Sequence, residues 1–198
     1  VRPPGHHAER SRAMGFCYFN NIAIAAKYLQ MEWHVGRIGI IDFDVHHGNG
    51  TQQMFEDDPT VFYYSIHEHP SFAYPGTGQA SERGKGKGFR FTKNSPVLPG
   101  QGDREYTRLI KTDLMPAFEE FLPEVILVST GFDGHAGDNM AGIRLSTEWF
   151  TWIMKEIVQM AQRYSAGRLI SVLEGGYALD RLPLLAKNHV ETLLGKAV

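Results

Sequence analysis

Cysteine is all but missing from this chain. Cys17 is the only one in 198 residues, which excludes an internal disulfide and any thiolate zinc cluster and suits a reducing compartment. We read Cys17 itself as a small buried apolar residue. Long hydrophobic runs are missing too. Stretches such as Val125 to Val128 are far too short to span a bilayer, and no charged head followed by an apolar signal region opens the chain. Charge of one sign is also lacking: 20 Lys and Arg face 22 Asp and Glu, spread along the chain, so no polyanion-binding face is expected. These absences point away from membrane and nucleic acid as direct partners. They lead us to expect a cytoplasmic or other reducing intracellular location.

What is present suits one globular unit. Apolar residues make up 42% of the chain, enough for one substantial core, and no internal repeat or low-complexity stretch divides it. We therefore expect residues 1–198 to belong to a single domain. The opening Val1, followed by Arg2-Pro3-Pro4-Gly5-His6-His7, reads like the interior of a working loop, so we expect a domain lacking its N-terminal region.

Helical and strand patterns alternate. Ile22, Ala25, Ala26 and Leu29 recur at helical spacing within Phe19 to about Gln30, and Arg37 to Asp42 is an Ile-rich strand. Asn49 to Glu56 predicts a short helix, Thr60 to Ile66 a strand rich in aromatic and β-branched residues, and Tyr74 to Gly88 a loop. Phe89 to Thr92 is expected as a further strand, Asp103 to Phe121 as a helix, and Glu124 to Thr130 as an apolar strand after the break at Pro123. Ser146 caps a predicted helix reaching Tyr164, with Glu148 in its first turn; Arg168 to Leu173 is a strand and Asp180 to Leu194 a helix. Such alternation predicts an α/β fold in three layers, a mostly parallel sheet with helices on both faces. In open sheets of this kind ligands bind at the carboxyl ends of the strands. Asp42, Asp44, His46, Ser65, His67, Asp133, Gly175, Gly176 and Tyr177 all fall there.

In Asp42-Phe43-Asp44-Val45-His46, polar and apolar residues alternate, so an extended backbone would project the two acids and the histidine on one side. Catalytic zinc commonly takes three protein ligands from His, Asp and Glu and leaves a position for water; Asp133 is the natural third. An isolated Asp-x-Asp can equally cap a helix or pair with an arginine. An EF-hand would require a Glu at the twelfth position, where counting from Asp42 the chain has Gln53. No phosphate cradle is read in Gly78 to Gly88, since Gly86 follows Lys85. Beside a metal, His6 and His7 are suited to exchange protons with water and a leaving amine, with Asp42 and Asn49 as candidate partners that fix their tautomers.

The residues then resemble a known family. Arg2-Pro3-Pro4-Gly5-His6-His7-Ala8, Gly15-Phe16-Cys17-Tyr18-Phe19-Asn20-Asn21, Asp42 to Gly50, Tyr74-Pro75-Gly76-Thr77-Gly78, Gly131-Phe132-Asp133 and Glu174-Gly175-Gly176-Tyr177 are similar, in order, to the markers of zinc-dependent histone deacetylases of the arginase and deacetylase superfamily. Asn49 and the Glu-Gly-Gly-Tyr wording resemble the class II branch and its bacterial relatives, acetylpolyamine amidohydrolases among them.

The resemblance implies an arginase/deacetylase-like fold and one zinc ion on Asp44, His46 and Asp133. It implies His7 as general base and acid, oriented by Asn49, and His6 as its electrostatic partner, held by Asp42. Tyr177 would donate a hydrogen bond to the acetyl oxygen. Gly15, Phe16, Tyr74 and Met140 would line the substrate channel, and potassium would lie by Asp42, Asp44, His46, Ser65 and Ile66. The implied substrate is acetylated lysine in a protein or peptide, or a small acylated amine. Met140, where polyamine-selective relatives can have Glu, tilts the reading towards acyl-lysine. The sequence leaves oligomeric state open.

Three rivals stand beside this reading: an acetylpolyamine amidohydrolase, a non-catalytic acyl-lysine or partner-binding module, and a dinuclear manganese ureohydrolase. The last would need further carboxylates where the chain has Gly48 and His135. We read His135 as a loop histidine near the rim, and His34, His69 and His189 as surface or helix-end residues.

Overall fold

The computed structural model describes residues 4–196, so Val1, Arg2 and Pro3, the latter two belonging to the first motif, fall outside the described residues. Its elements in chain order are α1 (Asn21–Trp33), β1 (Ile38–Asp42), α2 (Asn49–Phe55), β2 (Val61–Glu68), β3 (Thr92–Val97), α3 (Asp103–Leu109), a π turn (Ile110–Leu114), α4 (Met115–Phe121), β4 (Val125–Thr130), α5 (Thr147–Tyr164), β5 (Leu169–Leu173) and α6 (Leu182–Leu193). The strands form one sheet in the order β3-β2-β1-β4-β5, and every pairing is parallel.

The period of two along each strand divides the core. Ile38 and Ile40 of β1, Val61 and Tyr63 of β2, and Val125 and Leu127 of β4 meet Ile22 and Ala26 of α1 and Phe55 of α2. Ile41, Phe62, Tyr64, Ile126 and Val128 point the other way, against Phe118 of α4, Trp149 and Ile153 of α5, and Leu185 of α6. Both faces are thus covered, as the near-continuous apolar strands require. Helix ends follow local chemistry: the Asn20 side chain accepts from Ala23 N–H, and that of Ser146 from Trp149 N–H.

Three departures from the sequence reading have physical causes. The strand expected at Phe89 to Thr92 does not begin until the last of these residues. A 3₁₀ turn at Gly86–Gly88 and a left-handed Arg90 (φ 78°) interrupt the extended chain, and β3 begins at Thr92. Because β3 is an edge strand bonded only to β2, it accommodates Pro96, which has no N–H to donate. The helix expected over Asp103 to Phe121 is divided by the π turn just before Pro116, whose missing N–H cannot complete the regular ladder. Helix α6 starts at Leu182 rather than Asp180, with Pro183 in its first turn.

Candidate active site

Strand β1 ends at Asp42, so the next four residues are not extended. Two short side-chain bonds bend them: Asp42 Oδ1 accepts from Asp44 N–H at 3.2 Å, and Asp44 Oδ1 from His46 N–H at 2.9 Å. Phe43 and Val45 still turn into the core, as their alternation predicts. Asp44 and His46 turn the other way and meet Asp133, three residues beyond β4. His46 Nδ1 lies 3.2 Å from Asp44 Oδ1 and 3.1 Å from Asp133 Oδ2, and one ligand atom from each of the three residues falls within 4.8 Å of the others. Among the described residues this is the only such group of His, Cys, Asp or Glu. Asp42 is not part of it.

The ends of the other strands lock this group. Asp44 Oδ2 accepts from Gly175 N–H at 2.8 Å, and Asp133 Oδ1 from Val45 N–H at 3.1 Å. At Gly175 a Cβ would stand 2.2 Å from Asp133 Oδ2 and 2.6 Å from Asp44 Oδ2, so only glycine lets the β5 end approach so closely. Burial alone would lower the His46 pKa, but its hydrogen bonds to Asp133 and Asp44 override that and raise it to about 11. Asp133 is pushed up to about 6, by burial and by the charge of Asp44. Two buried carboxylates on one imidazole therefore draw positive charge to this point.

His6 and His7 occupy a turn beside the group, their ring centroids 4.1 Å apart. His6 Nδ1 is 3.0 Å from Asp42 Oδ2, an oxygen that also accepts from Tyr63 Oη–H at 2.9 Å. Burial opposes charge on His6, yet Asp42 and Asp44 outweigh it and hold its pKa up to about 10. His7 Nδ1 is 2.9 Å from Asn49 Oδ1, and Asn49 Nδ2 donates to Glu9 Oε1 at 2.8 Å. The second bond fixes the amide orientation, so Asn49 presents its carbonyl and His7 Nδ1 carries the proton. Nε2 is then the nitrogen able to accept one. Burial, and then the charge of His6, push the His7 pKa down to about 3, so this ring stays neutral.

A cavity of about 420 Å³ opens over these groups. Asp44, His46, Asp133, His6 and His7 line it, together with Gly15, Phe16, Tyr74, Met140 and Tyr177. Phe16 faces Tyr177 edge-on at 6.4 Å and Tyr74 meets His7 edge-on at 5.0 Å, so aromatic walls descend to a polar floor. The Tyr74 loop is tied down where His47 Nδ1 meets Thr77 Oγ1 at 2.8 Å and His67 Nε2 donates to Gly78 O at 2.9 Å. Ser65 stands opposite Asp42 in the β1–β2 register with its hydroxyl on His67 Nδ1, and Ile66 is buried in the core.

His135 is corrected: it is buried rather than at the rim. It stacks on Phe150, meets Thr147 Oγ1 through Nε2 and accepts from Gly137 N–H through Nδ1, which commits both nitrogens to packing. His189 is half-buried against Ser171 Oγ rather than at the surface or a helix end, and Cys17 is buried as expected.

Sequence reasoning gave no role to Glu174, Tyr63, Asp138 or Glu9. Asp138 Oδ2 accepts from the N–H groups of Tyr177 and Ala178 at 2.7 and 2.9 Å, and Oδ1 from Met140 N–H at 3.0 Å, so one carboxylate ties two walls together. The sequence signals for Glu174 were its place directly after an apolar strand and at the head of Glu174-Gly175-Gly176-Tyr177, neither of which names a partner for its carboxylate.

The family model described as the histone deacetylase domain matches residues 1–193. Histone deacetylase 14, chloroplastic, of Arabidopsis thaliana is 43% identical over 99% of this chain and 46% of its own length. A probable deacetylase of Archaeoglobus fulgidus is 43% identical over 91% of this chain and 49% of its own. A crystal structure of the HDA15 HD domain superposes with a TM-score of 0.91 at 37% identity, covering 99% of this chain and 56% of that one. The chain thus spans about half the length of these relatives. With a matching family model over nearly all its residues and the same fold in a solved relative, this chain belongs to the histone deacetylase domain family.

Proposed function

We propose that this chain carries the catalytic site of a zinc-dependent deacetylase, which hydrolyses the amide of N-acetyl-lysine to acetate and free amine. The observation that carries this reading is the meeting of Asp44, His46 and Asp133 on the floor of an aromatic-walled cavity, beside the His6–His7 pair. Two carboxylates and one imidazole are a donor set that suits zinc, with a position left for water. Two buried carboxylates set against one imidazole favour a cation in this place. When bound, zinc supplies Lewis acidity that polarises the amide carbonyl and makes hydroxide available near neutral pH.

The chain's own residues do the rest. His7, neutral and holding its Nδ1 proton on Asn49, takes a proton at Nε2 as water attacks, then passes it to the departing amine. His6, paired with Asp42, keeps positive charge beside that step. Tyr177 donates its hydroxyl to the acyl oxygen as negative charge develops there. Phe16 and Tyr74 enclose the apolar lysine stem, Gly15 supplies close backbone along it, and Met140 leaves the wall uncharged. A structural potassium ion by Asp42, Asp44, His46, Ser65 and Ile66 belongs to this reading as a further proposal.

A second metal is disfavoured at the positions a ureohydrolase would use. A Cβ at Gly48 would meet Asp42 Oδ2 at 2.3 Å and Tyr63 Oη at 2.4 Å, and His135 is committed elsewhere. The test is turnover of an acetyl-lysine peptide and an acetylated polyamine by the protein and its Tyr177→Phe variant. We expect the peptide to be preferred and the variant to lose about 10²–10³ in kcat. Preference for the polyamine would move the assignment to an amidohydrolase of small amines, and an unaffected variant would remove Tyr177 from the chemistry.

A further inference from the structure

Glu174 is fully buried directly after β5, and no ion pair among the described residues includes it. Among the described residues, three donors instead fill its carboxylate. Oε2 accepts from Gly5 N–H at 2.6 Å and His6 N–H at 3.1 Å, and Oε1 accepts from Ser129 Oγ–H at 2.9 Å. The opposite side of the same segment is held as well, since His6 O accepts from Gly50 and Thr51 N–H at 3.0 and 3.1 Å, at the start of α2. The turn closes through Ala8 N–H on Gly5 O at 3.0 Å. The residue carrying His6 is therefore gripped by its N–H from the β5 end and by its C=O from α2. A buried N–H without a partner is strongly disfavoured, so removing the carboxylate leaves this segment no equivalent arrangement in place.

We propose that Glu174 is a positioning residue, which sets the His6–His7 turn in register with Asp44, His46 and Asp133. This rests on the reading of His7 as the proton carrier. The same strand end also sends Gly175 N–H to Asp44 and carries Tyr177, so one short segment aligns the proton carriers, a metal ligand and the oxyanion donor.

Two variants separate position from charge. Glu174→Gln keeps an acceptor on the two N–H groups while its amide faces Ser129 Oγ, which can turn and accept; it loses the charge. Glu174→Asp keeps the charge and withdraws the oxygens by one methylene. The account expects Glu174→Asp to lose about 10² in kcat with KM within about threefold, since misplacement on the ångström scale acts on the chemical step. It expects Glu174→Gln to stay within about fivefold of the parent kcat, with metal content unchanged in both.

The imidazole ¹⁵N resonances of His6 and His7, assigned with His6→Gln and His7→Gln, give a readout independent of turnover. They should be unaltered in Glu174→Gln and shifted or doubled in Glu174→Asp. The reverse activity pattern, equal losses in both variants, or parent-like activity and resonances in Glu174→Asp would overturn the proposal. If Glu174→Asp does not fold, a Glu174→Gln variant below about a tenth of the parent kcat, or with displaced resonances, does so. If the parent turns over no acylated amine, the deacetylase reading fails and the resonances alone decide the positioning.

Discussion

The two ends of the sheet each bear a cavity, and they differ in kind. At the carboxyl ends about 420 Å³ lies over interlocked acids and histidines, nearly all of them buried. At the amino ends a larger space of about 650 Å³ runs past Arg37, Pro59, Phe62, Arg83 and Lys93. There the charges lie at the surface: Arg37 meets Glu124 at 3.5 Å and Lys93 meets Asp113 at 3.3 Å, with both cations well exposed. Size therefore does not mark the site. Charge removed from water does, because burying it is costly unless partners are fixed around it, and fixed partners are what catalysis uses. Parallel strands explain the asymmetry, since their carboxyl ends bring β1, β4 and β5 to one place with loops free to vary.

This contrast can be broken by mutation. The largest effect should come from His7→Ala, which removes the proposed proton carrier and should lower kcat/KM by about 10³. Asn49→Ala leaves the ring but frees its tautomer, and a loss of about 10–10² is expected, recovered in part by Asn49→Asp. The smallest should come from the amino ends: Arg37→Ala with Lys93→Ala should leave kcat unchanged and shift stability by no more than about 1 kcal/mol for each pair removed, as exposed pairs do. Steady-state kinetics and thermal unfolding measure all three. A large kinetic effect at the amino ends would undo the comparison; a small one at His7 would remove the proton-transfer role.

Much of the fold was legible because β1, β4 and β5 are apolar runs whose ends fall within a residue of the expected ones. Strand β3 was hidden by its own position. As an edge strand it carries Lys93, Asn94, Ser95 and Pro96, which read locally as loop. The π turn was hidden because the apolar spacing continues through it, and only Pro116 hints at the interruption. At the site, the candidate metal residues could be found from residue types at strand ends. Glu174 and Asp138 could not, because what they hold are backbone N–H groups distant in the chain; Gly5 and Glu174 are 169 residues apart. Side-chain chemistry is written in residue types, whereas a carboxylate's hold on remote amides exists only after folding.

The account turns on one ion at Asp44, His46 and Asp133, and metal analysis of the purified protein beside Asp133→Ala tests it most directly. It predicts zinc at one ion per chain in the parent and its loss, together with deacetylation, in a variant that remains folded. Zinc retained by folded Asp133→Ala, or a parent that binds none when zinc is supplied, would contradict it.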